Sequence, residues 1–155
     1  MTLAFLDTSI LIAGLIEIGE ASTLPQRIMT ALAEGHLPRA VTAWHCCLEF
    51  YSVATRLPEE FRLDPEDALR LLEEEIVARL EIRELPERAR EPFLRVLGHE
   101  RIVGGRVYDA HIAEIARLSG CQVVVTDNRR HFASLARHDI RVLSADEFAR
   151  ANRVK

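Results

Sequence analysis

The sequence predicts an α/β fold: a three-layer α/β/α sandwich with a central, mainly parallel sheet, built as one domain over residues 1–155. Three observations predict it. Short runs such as Leu3-Ala4-Phe5-Leu6 and Val123-Val124-Val125 are apolar at consecutive positions, as strands covered on both faces are. These runs alternate with longer segments of helical period, the pattern that builds a parallel sheet. At 155 residues and 48% hydrophobic, the chain can bury one sizeable core without disulfide staples.

The elements follow in order. The first strand stops at Asp7-Thr8-Ser9, and the apolar residues 10–16 begin a helix running to about residue 17. Residues 19–23 are a polar break. Pro25 opens a second helix that ends near Gly35, since proline is tolerated in a first turn. Residues 38–41 are a short strand. A helix over 43–56 is broken by Leu57-Pro58. Asp64-Pro65-Glu66 starts an amphipathic helix, with Ala68, Leu69, Leu72, Ile76 and Leu80 at helical spacing and Glu73-Glu74-Glu75 including the solvated face. Residues 81–85 are a short strand, and Pro86 opens a helix that Pro92 constrains. A loop over 98–105 precedes a strong helix, 107–118, which Gly120 ends. A strand over 122–126, a helix around 132–136, a strand over 140–143 and a helix with Ser144 and Glu147 in capping-box spacing complete the chain.

Composition excludes several classes. No window reaches the ~18 apolar residues of a membrane span. Met1-Thr2-Leu3 lacks the basic start of a secretory signal, so a cytoplasmic protein is expected. Cys46, Cys47 and Cys121 are odd in number and lack Cys-x-x-Cys spacing, which argues for buried free thiols rather than a disulfide or zinc framework. The net charge of −4 gives no bulk attraction for nucleic acid, and Lys155 is the sole lysine beside nineteen arginines. A local basic patch would still suffice for nucleic-acid binding.

Four carboxylates carry the functional reading. Asp7 and Asp127 each follow a strand, at the edge where open α/β sheets bind ligands. Helix capping is the alternative for the group Asp7, Thr8 and Ser9. Glu49 falls inside the stripe Cys46, Phe50, Val53 and Leu57, and Asp109 heads the stripe Ile112, Ala113 and Ala116. Ionised acids are seldom buried unless paired or bound to metal. The alternatives are an internal arginine bridge for Glu49 and a favourable helix N-terminus for Asp109. Converging acids need a cation. Oxygen-only donors, without histidine or cysteine partners, suit Mg²⁺ or Mn²⁺, whose common use in an acidic site is phosphoryl chemistry.

These residues carry a resemblance. Phe5-Leu6-Asp7-Thr8-Ser9, Glu49, Gly104-Gly105-Arg106-Val107-Tyr108-Asp109-Ala110-His111-Ile112-Ala113 and Val125-Thr126-Asp127-Asn128-Arg129-Arg130-His131-Phe132 resemble the PIN-domain ribonucleases, and among them the VapC-like toxins of prokaryotic toxin–antitoxin pairs. The resemblance implies a PIN-like sandwich and a Mg²⁺- or Mn²⁺-dependent endoribonuclease, usually dimeric, with an RNA substrate and a small cognate antitoxin. It implies that Asp7, Glu49 and Asp109 are metal-site acids, with Glu49 acting directly or through water. The family's fourth polar position, two residues after the threonine, is Asn128 here, while the acid is Asp127; either is a candidate ligand.

Asp7, Glu49, Asp109 and Asp127 are therefore the candidate catalytic residues. Thr8, Ser9 and Thr126 are the supporting hydroxyls. Arg106, Arg129 and Arg130 are candidate phosphate contacts, with solvated surface arginines as the alternative. His111 and His131 lie near the acids but are not assigned as bases. Tyr108 and Trp44 are candidates for base stacking, core packing being expected for Trp44. The first two helices, with Leu11, Leu15 and Ile16, offer a dimer and partner surface or plain core packing. A phosphotransfer receiver is disfavoured because Lys155 cannot serve as its inward lysine, and a haloacid-dehalogenase-type phosphatase because Ser9 stands where a second aspartate is needed. The remaining alternative is a catalytically inactive PIN-fold scaffold that binds RNA or a protein.

Overall fold

The computed structural model describes residues 2–155. Its five strands are β1 (Ala4–Leu6), β2 (Ala40–Ala43), β3 (Glu81–Arg83), β4 (Val123–Val125) and β5 (Arg141–Leu143). They lie in the order β3-β2-β1-β4-β5, and every pairing is parallel. The expected mainly parallel sheet is thus entirely parallel, and helices flank it. β1, β2 and β4 are buried at every position, which is why their sequences are apolar without alternation, except for Thr42, whose hydroxyl donates to the Leu6 carbonyl at 2.7 Å. The outer strands are only partly covered and carry charge, Glu81 and Arg83 on β3 and Arg141 on β5, which discourages pairing with another chain.

The helices are α1 (Thr8–Leu15), α2 (Thr23–Ala33), α3 (Trp44–Ala54), α4 (Pro65–Leu71), α5 (Glu87–His99), α6 (Arg106–Leu118) and α7 (Ala145–Ala151). α1 is buried almost all round, including Ile10, Leu11 and Ile12, so it shows no apolar stripe. It lies against α2 at Gly14, where an added Cβ would stand 2.6 Å from Met29 Cγ and 3.0 Å from the Pro25 carbonyl oxygen. Leu11 and Ile16 belong to the core and Leu15 packs against it. Core packing therefore accounts for all three residues that offered a docking surface in the sequence.

Three local features depart from the sequence pattern. The amphipathic segment after Asp64 is divided: α4 ends at Leu71 and Leu72–Val77 form a π-helical turn, closed by an Ala78 N–H to Glu73 carbonyl bond of 3.1 Å. Both Ala68 and Ile76 remain buried across this change of winding. Residues Arg129–His138 form a 3₁₀ segment that ends at Asp139 in the left-handed region. Trp44 is 46% exposed, contrary to expectation, because it starts α3 on the side away from the stripe of Cys46 and Phe50. The capping box on α7 forms as expected, with Glu147 N–H donating to Ser144 Oγ and Ser144 N–H donating to Glu147 Oε2. No helix among the described residues is long and apolar enough to cross a membrane.

Candidate active site

The chain winds from β1 outward through β2 to β3, then returns to place β4 on the other side of β1. The switch point lies between β1 and β4, where ligands bind in open α/β sheets. Leu6 pairs with Val125 in register, so Asp7 and Thr126 emerge level at the carboxyl edge. The Asp7 N–H donates to the Val125 carbonyl at 3.1 Å.

A hydroxyl network holds the Asp7 carboxylate. Thr126 Oγ1 donates to Asp7 Oδ2 at 2.8 Å and Ser9 Oγ donates to the same oxygen at 3.0 Å. The two hydroxyls are in turn fixed by backbone: Asp127 N–H donates to Ser9 Oγ and Asn128 N–H donates to Thr126 Oγ1. Asp7 makes no side-chain capping bond to α1, so these contacts, not capping, explain its place. It is 5% exposed, and burial pushes its carboxyl above the ordinary range, opposed by the two hydroxyls and the Thr8 N–H and reinforced by the charge of Glu49. Thr8 supports the site through its backbone; its hydroxyl is buried without a hydrogen-bond partner. Beneath Asp7, burial and the Asp7 charge push the Cys46 thiol up to about 12, so it is inert. All three cysteines are buried and free.

Glu49 on α3 and Asp109 on α6 sit differently. Each side chain is 36% exposed, so neither is buried as its stripe position predicts. The carboxylates stand at the rim, beside buried Cys46 and Phe50 on α3 and Ile112 and Ala113 on α6. Each turns toward a histidine rather than an arginine: Glu49 Oε2 is 3.9 Å from His45 Nε2, and Asp109 Oδ2 is 3.3 Å from His131 Nδ1. His45 and His111 are bonded Nδ1 to Nδ1 at 2.8 Å, one donating and the other accepting. Burial holds both below the ordinary imidazole range; the Asp109 charge opposes this for His45, and His45 adds to it for His111. Sequence reading overlooked His45, although it lies one helical turn before Glu49.

The remaining candidates take up distinct positions. Asp127 and Asn128 are exposed at the rim, and neighbouring protein pushes the Asp127 carboxyl up by desolvation. Arg106 and Arg130 line a groove of about 790 Å³ that also contains Asp109 and His131. Arg129 is turned instead to Glu147, with bonds of 3.0 and 3.1 Å to its two carboxylate oxygens. Tyr108 is exposed and lies 5.7 Å from His45, ring to ring.

The donor chemistry suits a hard divalent cation: carboxylate oxygens from β1, α3 and α6, with a buried acid whose charge is opposed by another acid. The present rotamers do not close on one point. Among the described residues, no three acidic, histidine or cysteine side chains stand together closely enough to hold a metal ion.

Comparison with known proteins identifies the family and the fold. Residues 4–147 match the PIN domain family. The chain is 41% identical over 100 residues, 58% of its length, to Ribonuclease VapC27 of Mycobacterium tuberculosis, covering 71% of that protein. Among solved structures it is similar to VapBC-1 of nontypeable Haemophilus influenzae, with a TM-score of 0.61 at 18% identity, covering 93% of this chain and 98% of that one. It is also similar to the sarcin-ricin loop cleaving toxin VapC20 of Mycobacterium tuberculosis, with a TM-score of 0.62 at 17% identity, covering 84% and 93%. DNA-bound VapBC of Salmonella typhimurium gives a TM-score of 0.60 at 24% identity, covering 94% and 99%. The parallel sheet, the acid at its switch point and a match spanning most of its length together place this chain in the PIN domain family.

Proposed function

We propose that this protein is a Mg²⁺- or Mn²⁺-dependent endoribonuclease and the toxin of a type II toxin–antitoxin pair, acting in the cytoplasm. The observation that carries the reading is Asp7: a buried carboxylate fixed by two hydroxyls, with Glu49 rather than a cation as its charged neighbour. Burying such a group has a cost that a bound cation would offset. The 41% identity to a protein named as a ribonuclease supports the same reaction class here.

In this reading Asp7 and Asp109 hold the cation, with Glu49 binding directly or through water and Asp127 or Asn128 completing the set. When bound, the cation supplies charge to the phosphoryl oxygens and acidifies water. The chain's own part is positional. Ser9 and Thr126 fix Asp7, and Thr126 also takes the Asn128 N–H, which ties the Asp127-Asn128 turn to the same carboxylate. Arg106 and Arg130, in the groove with Asp109, bind phosphate; Arg129, engaged with Glu147, is the weaker candidate of the three. The antitoxin partner is supported by similarity to VapBC complexes, and a homodimer by the family resemblance.

A second reading, an inactive scaffold, is favoured by one observation: Glu49 and Asp109 face histidines instead of converging. One experiment separates the two. Purified protein is incubated with total RNA in Mg²⁺ or Mn²⁺ and in chelator, beside Asp7→Asn. Discrete metal-dependent cleavage lost in the variant is expected. Absence of both cleavage and metal binding would leave the scaffold.

A further inference from the structure

The groove that contains Asp109 has a second wall that sequence reading did not connect to the site. α5 contributes Arg88, and Glu100 follows directly on its last residue, twelve positions after Arg88; both line the groove. At ~1.5 Å per residue, that wall is roughly 18 Å long. α6 and the 3₁₀ segment supply Arg106, Arg117, Arg130 and Arg137. The groove thus has five arginines against three acids, Glu100, Asp109 and Glu114, in a chain whose net charge is −4. Arg117 is occupied by Glu114, and Arg137 stands 3.6 Å from Glu100. Arg88, Arg106 and Arg130 are exposed and have no ion-pair partner among the described residues. Half-buried Phe93 lies in the wall, offering an apolar surface among the charges.

We propose that the groove between α5, α6 and residues 129–138 is the track for the backbone of a single RNA strand, which reaches the acids from this side, with Arg88 as a phosphate-binding residue remote from the reacting centre. This rests on the nuclease reading given above. Guanidinium groups grip phosphate with paired hydrogen bonds. Three exposed arginines free of ion pairs among the described residues, Arg88, Arg106 and Arg130, line one groove and suit a repeating anion better than a single one. An aromatic side chain within a basic groove also suits unpaired bases, which stack without sequence preference. An acidic peptide would satisfy the arginines but would leave the exposed part of Phe93, which otherwise packs on the core and beside His111, without a partner.

The test uses the full chain carrying Asp7→Asn, in chelator, so that binding is read without cleavage. A labelled single-stranded RNA of about 12 nucleotides, within the usual range for single-strand sites, is titrated by fluorescence anisotropy at several salt concentrations. Arg88→Glu is expected to weaken binding about tenfold or more. Arg88→Ala is expected to lower the slope of log affinity against log salt by about 0.7, one phosphate contact on a single strand. Arg141→Glu, at the amino edge of β5 and equal in charge change, should leave binding within about twofold; an equal loss there would reduce the effect to net charge and overturn the proposal. Arg88 is exposed and has no ion-pair partner among the described residues, so melting curves of the variants should match the parent. RNA binding indifferent to Arg88, or displacement of no RNA but capture of poly-glutamate through Arg88, would overturn it too. The two readings fail separately. Arg88-dependent binding without metal-dependent cleavage in the parent keeps the track and removes the nuclease. Cleavage unaffected by Arg88→Glu keeps the nuclease and removes the track.

Discussion

At the switch point Asp7 is gripped by Ser9 and Thr126, each fixed by a backbone N–H of the following turn. Across the cleft, Glu49 and Asp109 each face one histidine at 3.9 and 3.3 Å and remain one-third exposed. The difference follows from where each sits. Asp7 ends a strand buried on both faces, so its carboxylate has nowhere to turn. The helix acids stand at the rim, beside buried Cys46 and Phe50 on α3 and Ile112 and Ala113 on α6, where a side chain can turn to water. The contrast describes a site with one fixed anchor and two adjustable arms, which the proposed cation would draw together.

The sharpest way to break this contrast is to neutralise the anchor. Asp7→Asn should lower metal-dependent RNA cleavage by at least about a hundredfold, the scale on which one preorganised electrostatic group is felt. It should also raise metal-free stability at neutral pH. Burial raises the Asp7 pKa above its ordinary 3.8, so folding favours the protonated form. That stabilisation is full below about 3.8 and is lost as pH rises through the folded-state value. The variant should therefore melt a few degrees higher than the parent at neutral pH in chelator, each kcal/mol being about 2–4 °C at this size. The gap should close on acidification. Equal melting at neutral pH would mean that Asp7 carries no such strain. Glu49→Gln should show no comparable gain, because its carboxylate keeps its water.

Loosening the anchor without removing its charge is the next step. Thr126→Val deletes the 2.8 Å bond to Asp7 and the acceptor for the Asn128 N–H. A loss of about 1–3 kcal/mol in chemical denaturation is expected, with Mn²⁺ affinity by calorimetry falling roughly tenfold to a hundredfold, as when a ligand loses its supporting partner. Ser9→Ala should do less in both measurements, since its bond to Asp7 is longer and its site is only part-buried. If Ser9→Ala costs more than Thr126→Val, the order of support around Asp7 is reversed.

Much of this was legible in the chain because it depends on residue type at fixed spacing. Three consecutive valines name β4, and Asp7-Thr8-Ser9 after an apolar run names the end of β1. The hydroxyls of Ser9 and Thr126 were recognisable as support beside acids. What escaped depends on contacts between distant segments. His111 was seen as a neighbour of Asp109, but its bond to His45 joins α3 to α6 and has no sequence signature. Arg129 was legible as a candidate phosphate contact, but its pairing with Glu147, eighteen residues on, was not. Glu49 and Asp109 were read as buried because helical period gives the direction of a stripe but not how close to the rim of the core a given side chain lies. Arg88 lies outside every motif; only the packing of α5 brings it to the groove with Asp109.

The histidines test the adjustable side of the contrast, with smaller effects. His45→Ala removes the partner of His111 and leaves a half-buried ring nitrogen unsatisfied, a loss of about 1 kcal/mol. Burial holds both imidazoles below their ordinary 6.5, so in the parent their contribution is present above 6.5 and is lost as pH falls through the folded-state values; the variant should lose less on acidification. His131→Ala should change stability least, by under about 0.5 kcal/mol, because an exposed pair of this kind contributes little. Its informative readout is Mn²⁺ affinity. If His131 holds Asp109 away from the other acids, freeing the carboxylate leaves metal binding equal or tighter while cleavage is retained. If affinity falls instead, His131 orients Asp109 for the cation as Thr126 orients Asp7, and the two sides of the cleft are built on the same plan.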